Sequence, residues 1–259
     1  MMKVRIKRIV KATLLFFYGS QTKPRTILFG ALRGYRINMC PLSELSYIFG
    51  SVEKHFSRII GQYVKEGDNV LDIGANVGFH TLSLSRLVSA SGNVFSFEPV
   101  PETVRRLKAN LELNGIFNVK VYQLAAFDRN MLIAIRVPED GSNHLMASIH
   151  WHKNDATAKR IEVQGVVVDD IAEISRVHVS FVKIDVEGAE GDVIKGLTKL
   201  INRDRPVIFM ECSDLGRKIV WGIMNEVHYV CYGAKDNERI DCLSLYKHGD
   251  FLWVPKEQR

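Results

Sequence analysis

From Asn69 onward the chain alternates between two spacings of apolar residues. Short, nearly continuous apolar runs are typical of buried strands, and apolar residues recurring every three or four positions are typical of amphipathic helices. The pattern predicts strands at 69–73, 93–97, 119–124, 179–184 and 206–210, with helices at 79–89, 101–113, 169–174, 189–201 and 214–226. Further strands are predicted near 228–232, 242–246 and 251–254. This order predicts a doubly wound α/β fold, in which helices cover both faces of a parallel sheet.

One segment interrupts the alternation of strands and helices. Residues 131–137 and 161–168 have the pattern of an antiparallel strand pair inserted into the α/β order. The polar stretch between them, 138–160, is the candidate lid or substrate loop, because long connections in compact domains commonly carry function.

The chain ahead of Asn69 is organised differently. Two β-prone runs at 26–29 and 35–39 predict a hairpin, and 43–64 predicts a helix. Residues 3–17 predict a basic amphipathic helix. We therefore divide the chain into a basic N-terminal segment (1–25), a hairpin with a helix (26–68) and a main domain (69–259).

The charge of the chain is unevenly distributed. The whole chain carries 35 Lys and Arg against 29 Asp and Glu, a net charge of +6, and residues 1–43 hold nine of these bases and no acid. The remaining chain therefore has 26 bases against 29 acids, a net charge of −3. A nucleic-acid-binding surface needs its bases on the body of the domain, so this distribution argues against a nucleic-acid partner. Residues 1–17 suit either an anionic membrane surface or packing against protein.

Two further features bear on location. The uncharged run 12–20 is shorter than the roughly 20 residues that span a bilayer, and no signal-cleavage pattern follows it. The cysteines form no C-x-x-C pair and no zinc-finger spacing, which predicts packed thiols in a reducing compartment; they are Cys40, Cys212, Cys231 and Cys242. We expect a cytoplasmic protein, with peripheral contact to a membrane left open.

The strongest local motif is V-L-D-I-G-A-N-V-G at 70–78. A buried strand passes into a glycine-rich turn and then a helix, so a ligand can approach the backbone at the carboxyl edge of the sheet. The glycines are spaced G-x-x-x-G, not the G-x-G-x-x-G that cradles pyrophosphate. S-adenosylmethionine, a nucleoside without phosphate, therefore fits better than a dinucleotide. Asp72 is the candidate to organise the turn or to receive the ligand's amino group, directly or through water. Gly74, Asn76 and Gly78 are further candidates for cofactor contact, with Gly74 and Asn76 at the amino acid end.

The ends of the next two strands add candidates for the same ligand. Glu98, in the run F-E-P, can accept hydrogen bonds from both hydroxyls of a ribose. Ala125, at the end of the third predicted strand, can place its backbone at the adenine edge. Each feature alone also fits a structural turn or a helix cap, but at consecutive strand ends they indicate a nucleoside-bearing cofactor.

A third motif, F-V-K-I-D-V-E-G-A-E at 181–190, completes a pattern of three motifs. In this order they resemble the FkbM-type S-adenosylmethionine-dependent methyltransferases, with their DIGAN-x-G turn, FEP segment and K-I-D-V-E-G-x-E strand end. The resemblance covers roughly 52–212 and leaves 1–25 outside it. It implies a class I methyltransferase fold with a Rossmann-like sheet, and O-methylation of hydroxyls on sugars, glycolipids or secondary metabolites.

A hydroxyl is a poor nucleophile at neutral pH, so its attack on a sulfonium methyl group needs alignment and a proton acceptor. Asp185 lies where the fourth predicted strand ends, and Glu187 follows on the turn; either is a candidate base, and Lys183 is a candidate to orient a carboxylate. The alternative is that Asp185 caps the next helix or holds the cofactor, with acidic neighbours favouring the helix N-terminus.

Two other readings of this region stay open. Asp185 and Glu211, at the ends of adjacent predicted strands, could hold a divalent metal such as Mg²⁺ against a vicinal diol. His144, His150 and Trp151, in the predicted lid, are candidate substrate contacts, because a histidine can act as a base and an indole can stack on a sugar ring. The alternative for the histidines is that they are simply solvated side chains of a polar loop.

Three alternatives compete with O-methylation. Nitrogen is the second candidate acceptor, since the motifs do not distinguish the acceptor atom. A nicotinamide-dependent oxidoreductase on a similar sheet is disfavoured by the glycine spacing. A non-catalytic binding protein is disfavoured because Asp72, Gly74, Gly78 and Glu98 are all present.

Overall fold

The computed structural model describes residues 21–39, 45–48, 54–138, 158–242, 244 and 249–258. The predicted N-terminal helix at 3–17 lies outside these ranges. The described strands are β1 Lys23–Thr26, β2 Arg36–Met39, β3 Asn69–Ile73, β4 Asn93–Phe97, β5 Val119–Tyr122, β6 Ala125–Ala126, β7 Met131–Pro138, β8 Ala158–Val166, β9 Val179–Asp185, β10 Val207–Cys212, β11 Tyr229–Gly233, β12 Arg239–Ile240 and β13 Gly249–Pro255.

Helices connect most of these strands. The described α-helices are α1 Leu45–Ile48, α2 Lys54–Tyr63, α3 Phe79–Val88, α4 Pro101–Leu113, α5 Ala172–Ser175, α6 Glu190–Lys195, α7 Thr198–Asp204 and α8 Arg217–Glu226. Short 3₁₀ turns lie at Val168–Asp170 and Lys256–Gln258. Within these described segments no helix is both long and apolar enough to cross a membrane.

The main sheet confirms the doubly wound α/β prediction. Its eight strands run in the order β12-β11-β13-β10-β9-β3-β4-β5. The five strands from β5 to β10 pair in parallel, whereas β13 is antiparallel to both β10 and β11. Parallel strands have their carboxyl ends at one edge of a sheet, which is where ligands bind in folds of this kind.

A smaller sheet, β6-β8-β7, confirms the inserted antiparallel pair. β7 and β8 pair antiparallel from Met131↔Gly165 to Pro138↔Ala158, and β6 adds in parallel to β8. The inward face of this hairpin buries Ile133, Ile135 and Val163 against Val100 and Ala125. The insertion therefore packs beside the carboxyl ends of the main strands.

The core has one layer on each face of the main sheet, because successive strand residues point to opposite faces. On one face, Leu71, Val182 and Ile208 are buried against α6, α7 and α8. On the other face, Val70 and Phe181 are buried against α2 and α3. Strands buried on both faces explain why they are nearly continuous apolar runs in the sequence.

The N-terminal hairpin packs against the turn after β3 and against α4. Ile27, Leu32 and Ile37 share a buried cluster with Val77 and Leu107. Asn110, buried on α4, links these parts: its Oδ1 accepts the Asn38 N–H at 2.7 Å and its Nδ2 donates to the Val77 carbonyl at 2.7 Å. The hairpin is thus tied to the glycine-rich turn.

Several predicted elements differ from the structure in extent. The hairpin strand predicted at 26–29 is Lys23–Thr26, and the predicted helix 43–64 is described as two pieces separated by 49–53, outside the described residues. The helix predicted at 189–201 is α6 and α7 with a break at Gly196, and the helix at 169–174 is a 3₁₀ turn followed by one turn of α5. The strand predicted at 119–124 ends at Tyr122, so Ala125 belongs to β6. The segment 242–246, for which a strand is predicted, falls largely outside the described residues.

Candidate active site

A cavity opens at the carboxyl edge of the main sheet. It encloses about 750 Å³, open solvent at its mouth included. Its walls come from the ends of β3, β4 and β9, from β6 and from β7; the lining residues are Ile73, Gly74, Asn76, Phe97, Glu98, Pro99, Leu124, Ala125, Ala126, Ile135, Asp185, Val186, Glu187 and Ala189. Three carboxylates and a set of apolar side chains therefore face one space.

Gly74 lets the turn after β3 approach β9 closely. Its φ is +79°, in the left-handed region, and a Cβ at this position would lie 1.8 Å from the Asp185 carbonyl oxygen. The N–H groups of Gly74 and Ala75 both donate to the Phe97 carbonyl. Only glycine fits these constraints, so the turn holds the ends of β3, β4 and β9 together.

Asn76 and Gly78 occupy different places in this turn. Asn76 lines the cavity, with its side-chain oxygen accepting the Val77 N–H at 2.7 Å. Gly78 does not line the cavity; it is buried at the start of α3, where an added Cβ would lie 3.0 Å from Leu107. The structure thus places Gly78 at the contact between α3 and α4.

Asp72 and Lys183 form a buried ion pair behind the cavity. The two residues are direct partners in the β3–β9 register and are 0% and 1% exposed. Lys183 Nζ lies 3.3 Å from Asp72 Oδ1 and 3.3 Å from Asp185 Oδ2, and donates to the Gly74 carbonyl at 2.8 Å. Asp72 Oδ2 accepts the Thr81 hydroxyl at 2.6 Å. Asp72 is therefore connected to the cavity through Lys183 and does not line it.

Glu98 is buried with both carboxylate oxygens held by the backbone. Oε2 accepts the Asn76 N–H at 3.0 Å, and Oε1 accepts the Val100 N–H at 2.9 Å. Burial raises the pKa of Glu98 from 4.5 to about 7, although these two hydrogen bonds and Lys183 oppose the shift. Each oxygen keeps a further lone pair, so a ligand hydroxyl can still donate to the carboxylate.

The segment after β9 forms the opposite rim. Asp185 is 32% exposed and Glu187 is exposed, and both line the cavity. Glu190 is buried on α6, where its carboxylate accepts the Gly188 N–H at 3.0 Å and the Ser213 hydroxyl at 2.9 Å. Burial raises the pKa of Glu190, and its bonds connect the β9 rim to the loop after β10.

One wall of the cavity is apolar, and the sequence predicted only part of it. Ala125, the candidate for the adenine edge, lines the cavity together with Leu124 beside it, and Phe97 and Ile135 do so as well. Phe97 stacks on Tyr122 with ring centroids 4.8 Å apart. Phe97 and Leu124 lie at or just after strand ends, which every buried strand shares, and Ile135 lies within β7, so none of them has a distinctive sequence signal.

Two sequence predictions concern metal ligands and the lid. Asp185 and Glu211 are opposite each other in the β9–β10 register, as their predicted strand ends implied. Within the described part of the chain, no group of three or more His, Cys, Asp and Glu side chains is placed to hold a metal ion. His144, His150 and Trp151 lie outside the described residues.

This arrangement of a parallel sheet and a carboxylate-lined cavity at its carboxyl edge defines a cofactor-binding α/β enzyme fold. A family model, Methyltransferase FkbM domain, matches residues 72–237, which are more than half of the chain and contain all three motifs. The chain belongs to this family.

Individual relatives are more distant. The chain is 28% identical over 144 residues to Methyltransferase 1 of Beauveria bassiana, covering 49% of this chain and 57% of that protein. It is 27% identical over 175 residues to hexuronic acid methyltransferase AglP of Haloferax volcanii, covering 67% of this chain and 68% of that protein. A solved structure of Methyltransferase FkbM from Methylobacillus flagellatus has a TM-score of 0.45 and 16% identity, covering 76% of this chain and 50% of that chain.

Proposed function

We propose that this protein transfers the methyl group of S-adenosylmethionine to a hydroxyl oxygen of a sugar, a glycolipid or a secondary metabolite. The observation that carries the proposal is the convergence of Glu98, Asp185 and Glu187 on one cavity beside an apolar wall. A relative that spans two thirds of this chain is named a hexuronic acid methyltransferase, which supports a sugar acceptor.

The chemistry of the cavity fits this cofactor. S-adenosylmethionine presents a cationic sulfonium, an ammonium group, two ribose hydroxyls and an adenine. Carboxylates suit the first three groups, and the wall of Phe97, Leu124 and Ala125 suits the last. We assign the ribose hydroxyls to Glu98 and the amino acid end to the Gly74–Asn76 turn. Asp72 supports this turn through Lys183 and makes no direct contact with the cofactor in this proposal.

Bound at this site, the cofactor supplies an electrophilic methyl group. The acceptor hydroxyl must lie in line with that group and lose its proton as the new C–O bond forms and the C–S bond breaks. We propose Asp185 as the proton acceptor, because it lines the cavity and Lys183, 3.3 Å away, holds its carboxylate in place. Glu187, exposed on the same rim, is the alternative base. No metal enters this proposal.

The test is methyl transfer from radiolabelled S-adenosylmethionine to extracts fractionated into lipid, glycan, small-molecule and protein pools. We expect label in a glycan, glycolipid or small-molecule pool, and a ¹³C-methyl chemical shift typical of a methyl ether in the product. Label confined to protein, or a methyl group on nitrogen, would contradict the proposed acceptor.

The proposed base is tested with Asp185→Asn and Glu187→Gln. If Asp185 takes the proton, Asp185→Asn lowers kcat by roughly two to four orders of magnitude and leaves the affinity for S-adenosylhomocysteine within about threefold. Glu187→Gln serves as the matched control on the same rim. A large loss of kcat in Glu187→Gln alone would transfer the role to Glu187.

A further inference from the structure

The loop of the N-terminal hairpin exposes apolar side chains at the edge of the molecule opposite the cavity. Leu28 and Phe29 are 42% and 59% exposed, although Ile27 and Leu32 beside them are fully buried. Phe117, in the connection between α4 and β5, is 94% exposed. Large apolar residues exposed together mark an interaction site more often than apolar residues exposed singly.

Contacts place the hairpin loop and Phe117 on the same edge. Arg86, at the end of α3, donates to the Ala31 carbonyl and lies over the Tyr35 ring at 5.9 Å. The Arg36 N–H donates at 2.8 Å to Asn114, which follows the last turn of α4. Tyr35, Arg86 and Phe117 line one crevice. The ends of α3 and α4 and the start of β5 all lie at the amino edge of the sheet, so the exposed apolar side chains do as well.

The charged residues of the hairpin that carries Leu28 and Phe29 are all basic. Residues 21–39 contain four bases, Lys23, Arg25, Arg33 and Arg36, and no acid. Arg33 and Arg36 are exposed on either side of Tyr35, close to the apolar loop. The chain after residue 43 has a net charge of −3, so this basic charge is a local property of the N-terminal part.

We propose that this edge docks on an anionic phospholipid bilayer. Leu28, Phe29 and Phe117 enter the boundary between headgroups and acyl chains, and Arg33 and Arg36 pair with lipid phosphates. Apolar side chains flanked by bases are what such a surface binds. A second copy of the chain fits less well, because two basic hairpins would repel each other. A nucleic acid offers phosphates but no apolar layer for an exposed Leu and two Phe.

This orientation has a consequence for the enzyme. The cavity lies at the carboxyl edge of the sheet and the docking loop at the amino edge, so the cavity faces the aqueous side. The protein would then be concentrated at a membrane with its cavity open to the aqueous side, which among the proposed acceptors favours a sugar or a secondary metabolite over a glycolipid.

The test is co-sedimentation of the full chain with vesicles of phosphatidylcholine containing about a third phosphatidylglycerol, and with vesicles of phosphatidylcholine alone. We expect binding to the anionic vesicles and little to the neutral ones. The triple variant Leu28→Ser, Phe29→Ser, Phe117→Ser and the variant Arg33→Glu should each lose at least about fivefold to tenfold in partitioning. Two control proteins should bind as the parent does. The double variant Leu132→Ser, Leu215→Ser removes exposed apolar side chains elsewhere and is the control for the triple variant. Lys218→Glu, at an exposed position, is the control for Arg33→Glu.

Binding of S-adenosylhomocysteine and thermal unfolding, measured on every variant, establish that the changed loops leave the fold intact. In a Phe29→Trp variant, quenching of the added indole by brominated acyl chains is expected to report insertion directly. Anionic vesicle binding that is unchanged in the triple variant would overturn the proposal. So would binding to RNA but not to vesicles, or a dimer that the triple variant abolishes in the absence of lipid.

Discussion

The shifted pKa of Glu98, a residue that lines the cavity, makes the stability of the ligand-free protein depend on pH. Its pKa is raised from 4.5 to about 7 by burial, so between these values the folded chain holds a proton that the unfolded chain releases. The contribution of this carboxyl group to the free energy of unfolding therefore decreases as pH increases through this range.

We expect the free energy of unfolding to fall by up to about 3 kcal/mol as pH rises from about 4.5 to about 7, because Glu98 keeps its proton in the folded protein and loses it in the unfolded protein. In Glu98→Gln this decline should be absent, because glutamine does not titrate. The variant is also expected to be less stable at acid pH, since an amide cannot accept both backbone N–H groups. Urea unfolding at several pH values measures the difference between the two proteins. An identical pH dependence in both would show that Glu98 titrates near 4.5.

The ion-pair partners of Lys183 could be predicted only in part from its sequence motif. The motif suggested an orienting role toward a carboxylate, and the structure gives Lys183 two carboxylate neighbours, Asp72 and Asp185. The sequence left Asp72 two roles, organising the glycine turn or receiving the ligand's amino group, because it precedes that turn. Its actual position behind the cavity follows from the β3–β9 register, which pairs residues more than a hundred positions apart in the chain. No local pattern encodes that register.

Lys183→Met is expected to destabilise the fold by about 3–5 kcal/mol, because it leaves Asp72 charged and buried without its partner. The double variant Asp72→Asn with Lys183→Met should recover part of this loss, since no unpaired charge remains. Chemical denaturation of the parent, of both single variants and of the double variant gives the comparison. A Lys183→Met protein that loses less than about 1 kcal/mol, or a double variant whose loss is the sum of the losses of the two single variants, would contradict the ion-pair account.

At the scale of elements, the sequence predicted the parallel strands and the helices α3 and α4 closely, because their apolar periodicity matches their burial. It missed the break between α6 and α7. Asp169 caps α7 from about thirty residues upstream, with its carboxylate accepting the N–H groups of Lys199 and Leu200 at 2.7 and 2.9 Å. A helix start capped by a distant side chain has no local signature, so a continuous helix was the natural prediction.

Asp169→Ala is expected to cost about 1–2 kcal/mol of stability through the loss of this cap. Asp170→Ala is the matched control: its carboxylate is exposed and pairs with Lys199 at the surface, so its loss should cost less than about 1 kcal/mol. Equal effects of the two substitutions in urea unfolding would show that the cap contributes nothing specific.

At the scale of the whole molecule, the hairpin and the main sheet share one buried cluster. The sequence divided the chain at residue 68, and that domain division stays a prediction. Asn110 joins the two parts through Asn38 and Val77. A shared core and direct hydrogen bonds favour unfolding as one unit.

Asn110→Ala should therefore lower the stability of the whole chain by about 2 kcal/mol, because it leaves buried backbone groups without partners. We expect one transition, seen equally by far-ultraviolet circular dichroism and by tryptophan fluorescence. Asn202→Ala, at an exposed helix position, is the control. A separate early transition in the variant would show that the hairpin unfolds independently.

The central claim is that the cavity at the carboxyl edge binds S-adenosylmethionine through Glu98. Titration calorimetry with S-adenosylhomocysteine tests it most directly. We predict one site per chain, an affinity loss of about 1.5–3 kcal/mol in Glu98→Ala, and unchanged affinity in Glu102→Ala, a carboxylate outside the cavity. Folded parent protein that does not bind the ligand, or Glu98→Ala protein that binds it as tightly as Glu102→Ala protein, would contradict the account.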